Sequence, residues 1–253
     1  MTAPTRSLPF RVSQDADPGL ITRFKEWLGP PDGGVIADGT GLYLDANGLA
    51  VSVNRQVSLR PDLTVGPTGW RLGQAGIKRE ALARAAGLGK GHRPTVIDAT
   101  AGLGCDGLVL AQLGCPVTLI ERQPAVAALL DDALRRAASA EWLHDALARS
   151  TLMLADGARY LASLCPEDCP DVVYLDPMFV PARRRGAAGK ETQLLAALTG
   201  EPSDGIDLLG PALKAANARV VVKRHRHAAP LGNCLPTFHR TGKSTRFDVY
   251  ITG

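Results

Sequence analysis

No apolar run in this sequence approaches the roughly 20 residues that cross a bilayer as a helix, and the opening MTAPTRSLPFRVSQD has no apolar core of the kind a secretory signal needs. Both absences argue against a membrane or exported protein, and a cytoplasmic one is expected. Cysteine is sparse and odd in number, at positions 105, 115, 165, 169 and 234. A chain of 253 residues is too large to need stapling, so reduced thiols are expected rather than a disulfide frame. Cys165 and Cys169 make a lone C-x3-C with no second pair nearby, which speaks against zinc, and no metal is expected. A strong excess of one charge is missing too: 29 Lys and Arg against 25 Asp and Glu leave +4, mild for a nucleic-acid binder. Internal repeats and low-complexity tracts are absent.

What the sequence holds in quantity is hydrophobic residues, at 45%, and glycine, at 27 positions, a composition that suits a compact chain with many tight turns. Its two parts differ in rhythm. Residues 1–70 are expected to form a small β-rich α+β subdomain. A short helix over 20–28 is followed by strand-like pieces at 35–37, 41–44 and 49–53, separated by the turn dipeptides Asp38-Gly39 and Asn47-Gly48. The meander continues loosely to Trp70, and a connecting helix over 77–88, within 71–92, closes at Gly87-Leu-Gly89. From 93 to 253 apolar strands alternate with helices. Strands are expected at 95–99, 117–121, 151–155, 171–175 and 218–223. Helices are expected at 106–113, from Pro124 through 134, and at 157–164, 190–198 and 206–216. That alternation implies a parallel sheet covered on both faces, an α/β Rossmann-like fold. The ending breaks the pattern: 236–240 and 246–252, joined by Thr241-Gly-Lys-Ser-Thr245, read as an antiparallel hairpin.

Gly102-Leu-Gly104-Cys-Asp-Gly107 lies between the first of these strands and its helix and matches the G-x-G-x-x-G of dinucleotide-binding folds. Glu121 stands at the next strand's tip, where a ribose-binding carboxylate belongs. Asp98, at the end of the first strand, argues against a dinucleotide. A carboxylate there would face a pyrophosphate, whereas S-adenosyl-L-methionine (SAM) carries a sulfonium and an ammonium and no phosphate. The run Asp98-Ala-Thr-Ala-Gly102-Leu-Gly104 resembles the acidic-x-Gly-x-Gly-x-Gly loop of class I methyltransferases, with Thr100 in place of the first glycine. The closing hairpin resembles the added strand pair of that family's seven-stranded sheet. SAM is therefore the expected cofactor. Glu121 can accept from both ribose hydroxyls. Asp156, just past the third strand, is placed for the adenine amino group, with Gly157 leaving backbone room; the plainer reading is that Asp156 caps the helix starting there.

Asp176-Pro177-Met178-Phe179 follows the fourth strand and resembles the [Asn/Asp/Ser]-Pro-Pro-[Tyr/Phe] motif of enzymes that methylate exocyclic amines on bases, with Met178 in place of the second proline. Such an amine is a poor nucleophile because its lone pair is delocalised into the ring. Asp176 and the carbonyls near Pro177 can accept its N–H groups, orient the lone pair and accommodate the positive charge that develops. Pro177 stiffens the loop, and Phe179 offers a face on which a base can stack. No cysteine stands in or beside this loop, so a covalent thiol adduct at a pyrimidine carbon is not expected. Arg183, Arg184, Arg185 and Lys190 follow directly, and Lys223, Arg224, His225, Arg226 and His227 end the fifth strand. Carboxyl ends of parallel strands share one edge. Both clusters are therefore expected at the mouth of the site, with Arg183, Arg184, Arg185, Lys190, Lys223 and Arg224 read as contacts to RNA phosphates.

Together, Val96-Ile-Asp-Ala-Thr-Ala-Gly-Leu-Gly104, the helix start Ile120-Glu-Arg-Gln-Pro124, Val172-Val-Tyr-Leu-Asp-Pro-Met-Phe179, Val220-Val-Val-Lys-Arg224 and Arg246-Phe-Asp-Val-Tyr250 resemble the RsmJ family. These are bacterial enzymes that methylate the N2 amine of a guanine in 16S ribosomal RNA. The resemblance runs through most of residues 70–250. It implies a SAM-dependent methyltransferase domain over 93–253 and 16S rRNA or the small ribosomal subunit as partner. It also implies SAM contacts at Cys105, Asp106, Glu121, Arg122, Asp156, Gly157 and Asp176, beside Asp98, Gly102 and Gly104 of the loop. The chain departs from the family where Cys105 stands in place of an expected arginine, where Asp156-Gly157 occupies positions at which small hydroxyl residues can occur, and where Arg183–Arg185 replaces a lysine-rich loop. An adenine-N6 methyltransferase acting on DNA or RNA would use the same loop chemistry. Protein or small-molecule methylation is disfavoured by the basic rim. A non-catalytic RNA-binding protein with a methyltransferase-like fold is disfavoured by the intact set Asp98, Glu121, Asp156 and Asp176.

Overall fold

The computed structural model describes residues 8–31, 39–53, 56–89, 91–177, 205–242 and 245–253. Asp17 starts the first helix, α1 (Pro18–Leu28), by accepting from the amides of Gly19 and Leu20 at 2.6 and 3.3 Å, two donors that a helix start otherwise leaves open. Four short strands lie beside it: β1 (Phe10–Val12), β2 (Thr40–Asp45), β3 (Gly48–Val53) and β4 (Gln56–Leu59). Their order is β1-β2-β3-β4, with β1 parallel to β2 and the other pairs antiparallel. The turn at Asn47-Gly48 is closed by Asp45, which accepts from the Asn47 amide at 2.7 Å. The strand piece expected at 35–37 falls outside the described residues.

Two local readings differ from the structure. The meander stops short of Trp70 because Pro67 falls in the first turn of a helix, α2 (Gly66–Gly73), where its missing N–H and preset φ favour the start. The helix expected over 77–88 is reduced to α3 (Ala81–Ala85), because the amides of Arg79 and Glu80 both turn back onto the Gly76 carbonyl at 2.9 Å.

The main sheet has seven strands: β5 (Val96–Asp98), β6 (Val117–Glu121), β7 (Ser150–Leu154), β8 (Val172–Leu175), β9 (Arg219–His225), β10 (Phe238–Thr241) and β11 (Thr245–Ile251). They are ordered β10-β11-β9-β8-β5-β6-β7, the five from β5 to β9 parallel and the β10–β11 hairpin antiparallel. This is the α/β Rossmann-like sheet with a closing hairpin that the strand pattern implied. The connecting helices are α4 (Cys105–Gln112), α5 (Pro124–Ala137), α6 (His144–Ala148), α7 (Gly157–Ala162) and α8 (Ile206–Ala215). Side chains alternate between the sheet's two faces. Val96, Val172, Tyr174 and Val221 pack on the face covered by α3, α4 and α6, and Ile97, Val173, Leu175, Val220 and Val222 on the face covered by α7 and α8.

The N-terminal sheet has no core to itself. Phe10, Phe24, Leu42, Leu44, Leu49 and Val51 share one apolar cluster with Ala125, Val126, Ala128 and Leu129 of α5 and with Leu103 of the glycine loop. Polar bonds back this contact. Arg23 donates to both oxygens of Asp131 at 2.5 Å, and the Leu49 amide donates to Asp132 at 3.0 Å. Asp132, fully buried, is neutralised by Arg135 and Arg136, and Arg136 reaches on to the Pro61 carbonyl. A buried carboxylate needs such compensation. Here it comes from two chain segments, β3 and α5 itself.

Candidate active site

Among the described residues, the candidate site residues of the α/β part lie along the edge formed by the carboxyl ends of β5, β6, β7, β8 and β9. The loop after β5 turns sharply because Gly102 and Gly104 take left-handed φ values of 55° and 77°. A side chain at Gly104 would also meet Leu130. Glu121 ends β6 and holds this loop. One carboxylate oxygen accepts from the Gly102 amide at 2.9 Å and the other from the Gln123 amide at 2.8 Å. Burial pushes its carboxyl up, and the amides of Gln123 and Gly102 offset this only in part.

Asp156 caps α7, accepting from the Arg159 amide at 3.0 Å, so the plain reading of that residue is real. Its other oxygen has no partner among the described residues, and the side chain is exposed. Gly157 stands so close to the end of β5 that an added Cβ would lie 2.5 Å from the Ala99 carbonyl oxygen. Asp98 sits beneath the loop, 1% exposed, and accepts from the Thr100 amide at 3.1 Å. Burial holds its carboxyl well above the usual carboxylate range. Arg122 is exposed, while Cys105 turns toward α2, its Sγ 3.4 Å from the Thr68 hydroxyl.

A chain of charges crosses the same edge. Lys223, on β9, places its Nζ 2.7 Å from Asp106 Oδ2 and 2.8 Å from Asp176 Oδ2. Asp106 also accepts from Tyr174 Oη at 2.6 Å and from Arg71 of α2 at 2.7 Å, and Arg71 in turn pairs with Glu80 at 3.0 Å. Burial alone would raise the Asp106 carboxyl, but Lys223 and Arg71 outweigh it and bring it down to about 2. For Asp176 burial wins: Lys223 pulls it down, Asp106 pushes it up, and the carboxyl stands above its ordinary value. The Asp176 amide donates to Thr100 Oγ1 at 2.6 Å, tying the loop after β8 to the loop after β5. Pro177 is buried, with Gly205 packed against it.

Sequence reasoning anticipated the carboxylates but not their partners Arg71, Thr100 and Tyr174. Strand alternation carried a usable signal. Asp98, Tyr174 and Lys223 share parity with Val96, Val172 and Val221, hence a face, and the register pairs Asp98 with Tyr174 and Tyr174 with Val221. Lys223, read as a phosphate contact, is instead drawn between two carboxylates. Arg224 donates to the Ala229 carbonyl at 3.1 and 2.9 Å, and Arg246 donates to the carbonyls of Arg226 and Ala228 at 3.1 and 2.9 Å. These bonds pin the turn after β9 and leave His225, Arg226 and His227 exposed on it. Met178, Phe179, Arg183, Arg184, Arg185, Lys190 and the helix expected over 190–198 lie outside the described residues.

The residues at this edge fit SAM. Glu121 and Asp156 stand beside a glycine turn with acceptor capacity to spare, which suits the hydroxyl and amine donors of SAM, and Asp98 holds the turn from beneath. Gly157 lets the start of α7 and its cap Asp156 come directly against the end of β5, beside that turn. All five cysteines are free, and among the described residues no helix is long and apolar enough to cross a membrane.

Residues 37–252 match the family model described as SAM-dependent methyltransferase. The chain is similar to the ribosomal RNA small subunit methyltransferase J of Thioalkalivibrio sulfidiphilus, 43% identical over 215 residues and 84% of each chain. That of Alkalilimnicola ehrlichii is 47% identical over 216 residues, 83% of this chain and 81% of its own. Among solved structures, a SAM-dependent methyltransferase from Neisseria gonorrhoeae, 34% identical, aligns over 96% of both chains with a TM-score of 0.76.

Proposed function

Because the chain belongs to the ribosomal RNA small subunit methyltransferase J family of SAM-dependent methyltransferases, we propose that it methylates the exocyclic N2 amine of a guanine in 16S ribosomal RNA. The observation that carries the chemistry is Asp176. One oxygen is held by Lys223, and the other has no partner among the described residues, on a side chain 28% exposed at the sheet edge. A substrate N–H can reach it there.

SAM, when bound, supplies the electrophilic methyl group. Glu121 holds the ribose hydroxyls, Asp156 the adenine amine, and the turn at Gly102 and Gly104 admits the cofactor, with Asp98, Cys105, Asp106, Arg122 and Gly157 lining or supporting that site. Asp176 accepts an N–H of the guanine amine, turns the nitrogen lone pair toward the methyl, and stabilises the positive charge that grows on nitrogen. Pro177 fixes the loop, and Phe179 stacks on the base. Arg183, Arg184, Arg185 and Lys190, with Arg226 and the two histidines of the pinned turn, contact phosphates. In this reading the division at 70 and 92 is functional: residues 1–70 brace the cofactor loop through Leu103 and assist docking of the rRNA or small subunit, and the enzyme works in the cytoplasm.

The test is nucleoside mass spectrometry of rRNA from a strain deleted for this gene, before and after complementation. One N2-methylguanosine should vanish and return. Loss of N6-methyladenosine would keep the mechanism and move the substrate, and an unchanged nucleoside profile would overturn the reading.

A further inference from the structure

Two of Lys223's three ammonium donors are spent on carboxylates, so little of it remains for a phosphate. It also stands on a strand, paired in register opposite Phe247 of β11, which leaves the side chain few alternative paths. We propose that Lys223 is a positioning residue for amine methylation: it holds Asp176 by one carboxylate oxygen so that the other faces the substrate, and Arg71 supports that hold by occupying the far oxygen of Asp106. The inference rests on the reading of Asp176 as the amine's acceptor.

The surroundings of Asp176 explain why such a residue is needed. The charged and titratable groups facing it are Asp98 from β5, Asp106 from α4, Tyr174 from β8, Lys223 from β9 and Arg71 from α2. Three of these six groups, counting Asp176, are carboxylates on one sheet edge, and each repels the others when ionised. Lys223 is the cation that touches two of them. Asp106 is fully engaged, with Arg71 on Oδ1 and Tyr174 plus Lys223 on Oδ2, so it is an anchor and not a free acceptor. Asp176 has an oxygen to spare. The geometry thus separates the two acids into one that holds the lysine and one that the lysine presents. It also ties the catalytic loop to α2, outside the α/β sheet, through Glu80, Arg71, Asp106 and Lys223 in succession.

The sign of the expected effects follows from charge. Asp176 must be ionised to stabilise the positive charge that grows on the amine nitrogen. Removing the lysine's charge makes ionisation harder, so the acid limb of the rate profile moves to higher pH. Removing the charge of Asp106 makes ionisation easier, so the limb moves to lower pH. The experiment measures single-turnover methylation of small subunits against pH, with SAM saturating, for the wild type, Lys223→Met, Lys223→Arg and Asp106→Asn. A parallel carbon-13 titration follows the Asp176 carboxyl in the free protein. Lys223→Met should lower the rate about 10²-fold near neutrality, with the limb and the Asp176 titration displaced upward. Asp106→Asn should displace both downward, and Lys223→Arg should restore most of the rate.

A Lys223→Met enzyme with an unmoved profile overturns the proposal, as does one in which only the KM for RNA rises. If that variant does not fold, Asp106→Asn decides: an Asp176 titration that it leaves unmoved is equally fatal. Failure of the functional reading is distinct, because it appears as a wild-type enzyme that methylates no rRNA amine while the carboxyl titrations still move.

Discussion

A carboxylate at a strand tip does work only if something fixes which way its oxygens face, and Glu121 shows how the backbone does this. Each oxygen already carries one amide, from Gly102 and from Gln123, which leaves each with a further lone pair. Replacing Glu121 with alanine would remove the proposed ribose contact and free the loop at Gly102. SAM affinity measured by calorimetry should fall by about 1–3 kcal/mol, while NAD(H) gives no heat with either protein. Unchanged SAM affinity would remove Glu121 from the site. Arg71 is instructive in the opposite sense. Nothing in its helix marks it as functional, yet with Lys223 it brings the Asp106 carboxyl down to about 2 against the pull of burial.

Elements act here mainly by how closely they approach. The start of α7 rides on the end of β5, and only a glycine at 157 leaves the Ala99 carbonyl undisturbed. Gly157→Ala should therefore push the two loops apart, destabilise the fold by about 1–3 kcal/mol, and weaken SAM binding at the adenine end. Thermal melts and calorimetry check both, and a variant as stable and as tight as the wild type would contradict it. The same elements show what a sequence can carry. β6 spans the expected 117–121, because an apolar run between a glycine turn and a proline-started helix admits few alternatives. The hairpin was legible from its glycine turn. β1 was not: three residues pair in parallel with a strand far along the chain, and no local pattern announces a parallel partner. In the site, acids at strand tips could be read from spacing. The face of Lys223 follows from strand parity, but its carboxylate partners could not be read, because they depend on α4 and the loop after β8 delivering Asp106 and Asp176 to the same edge.

At the scale of the whole molecule, α5 is shared property, serving the α/β sheet on one side and the N-terminal sheet on the other. Asp132 is the test of that union. Asp132→Ala leaves the Leu49 amide and the half-buried Arg136 without their buried partner, and should cost about 3 kcal/mol, read as a lower urea midpoint. A loss below about 1 kcal/mol would mean that Asp132 has no part in joining the two sheets. The clasp also has a consequence for biosynthesis. Arg23 waits for Asp131, 108 residues on, and Leu49 for Asp132, 83 residues on. At ~5–20 residues per second that delay is on the order of seconds. The first part of the chain leaves the ribosome with its apolar face uncovered, and it cannot close until α5 has followed it out of the tunnel.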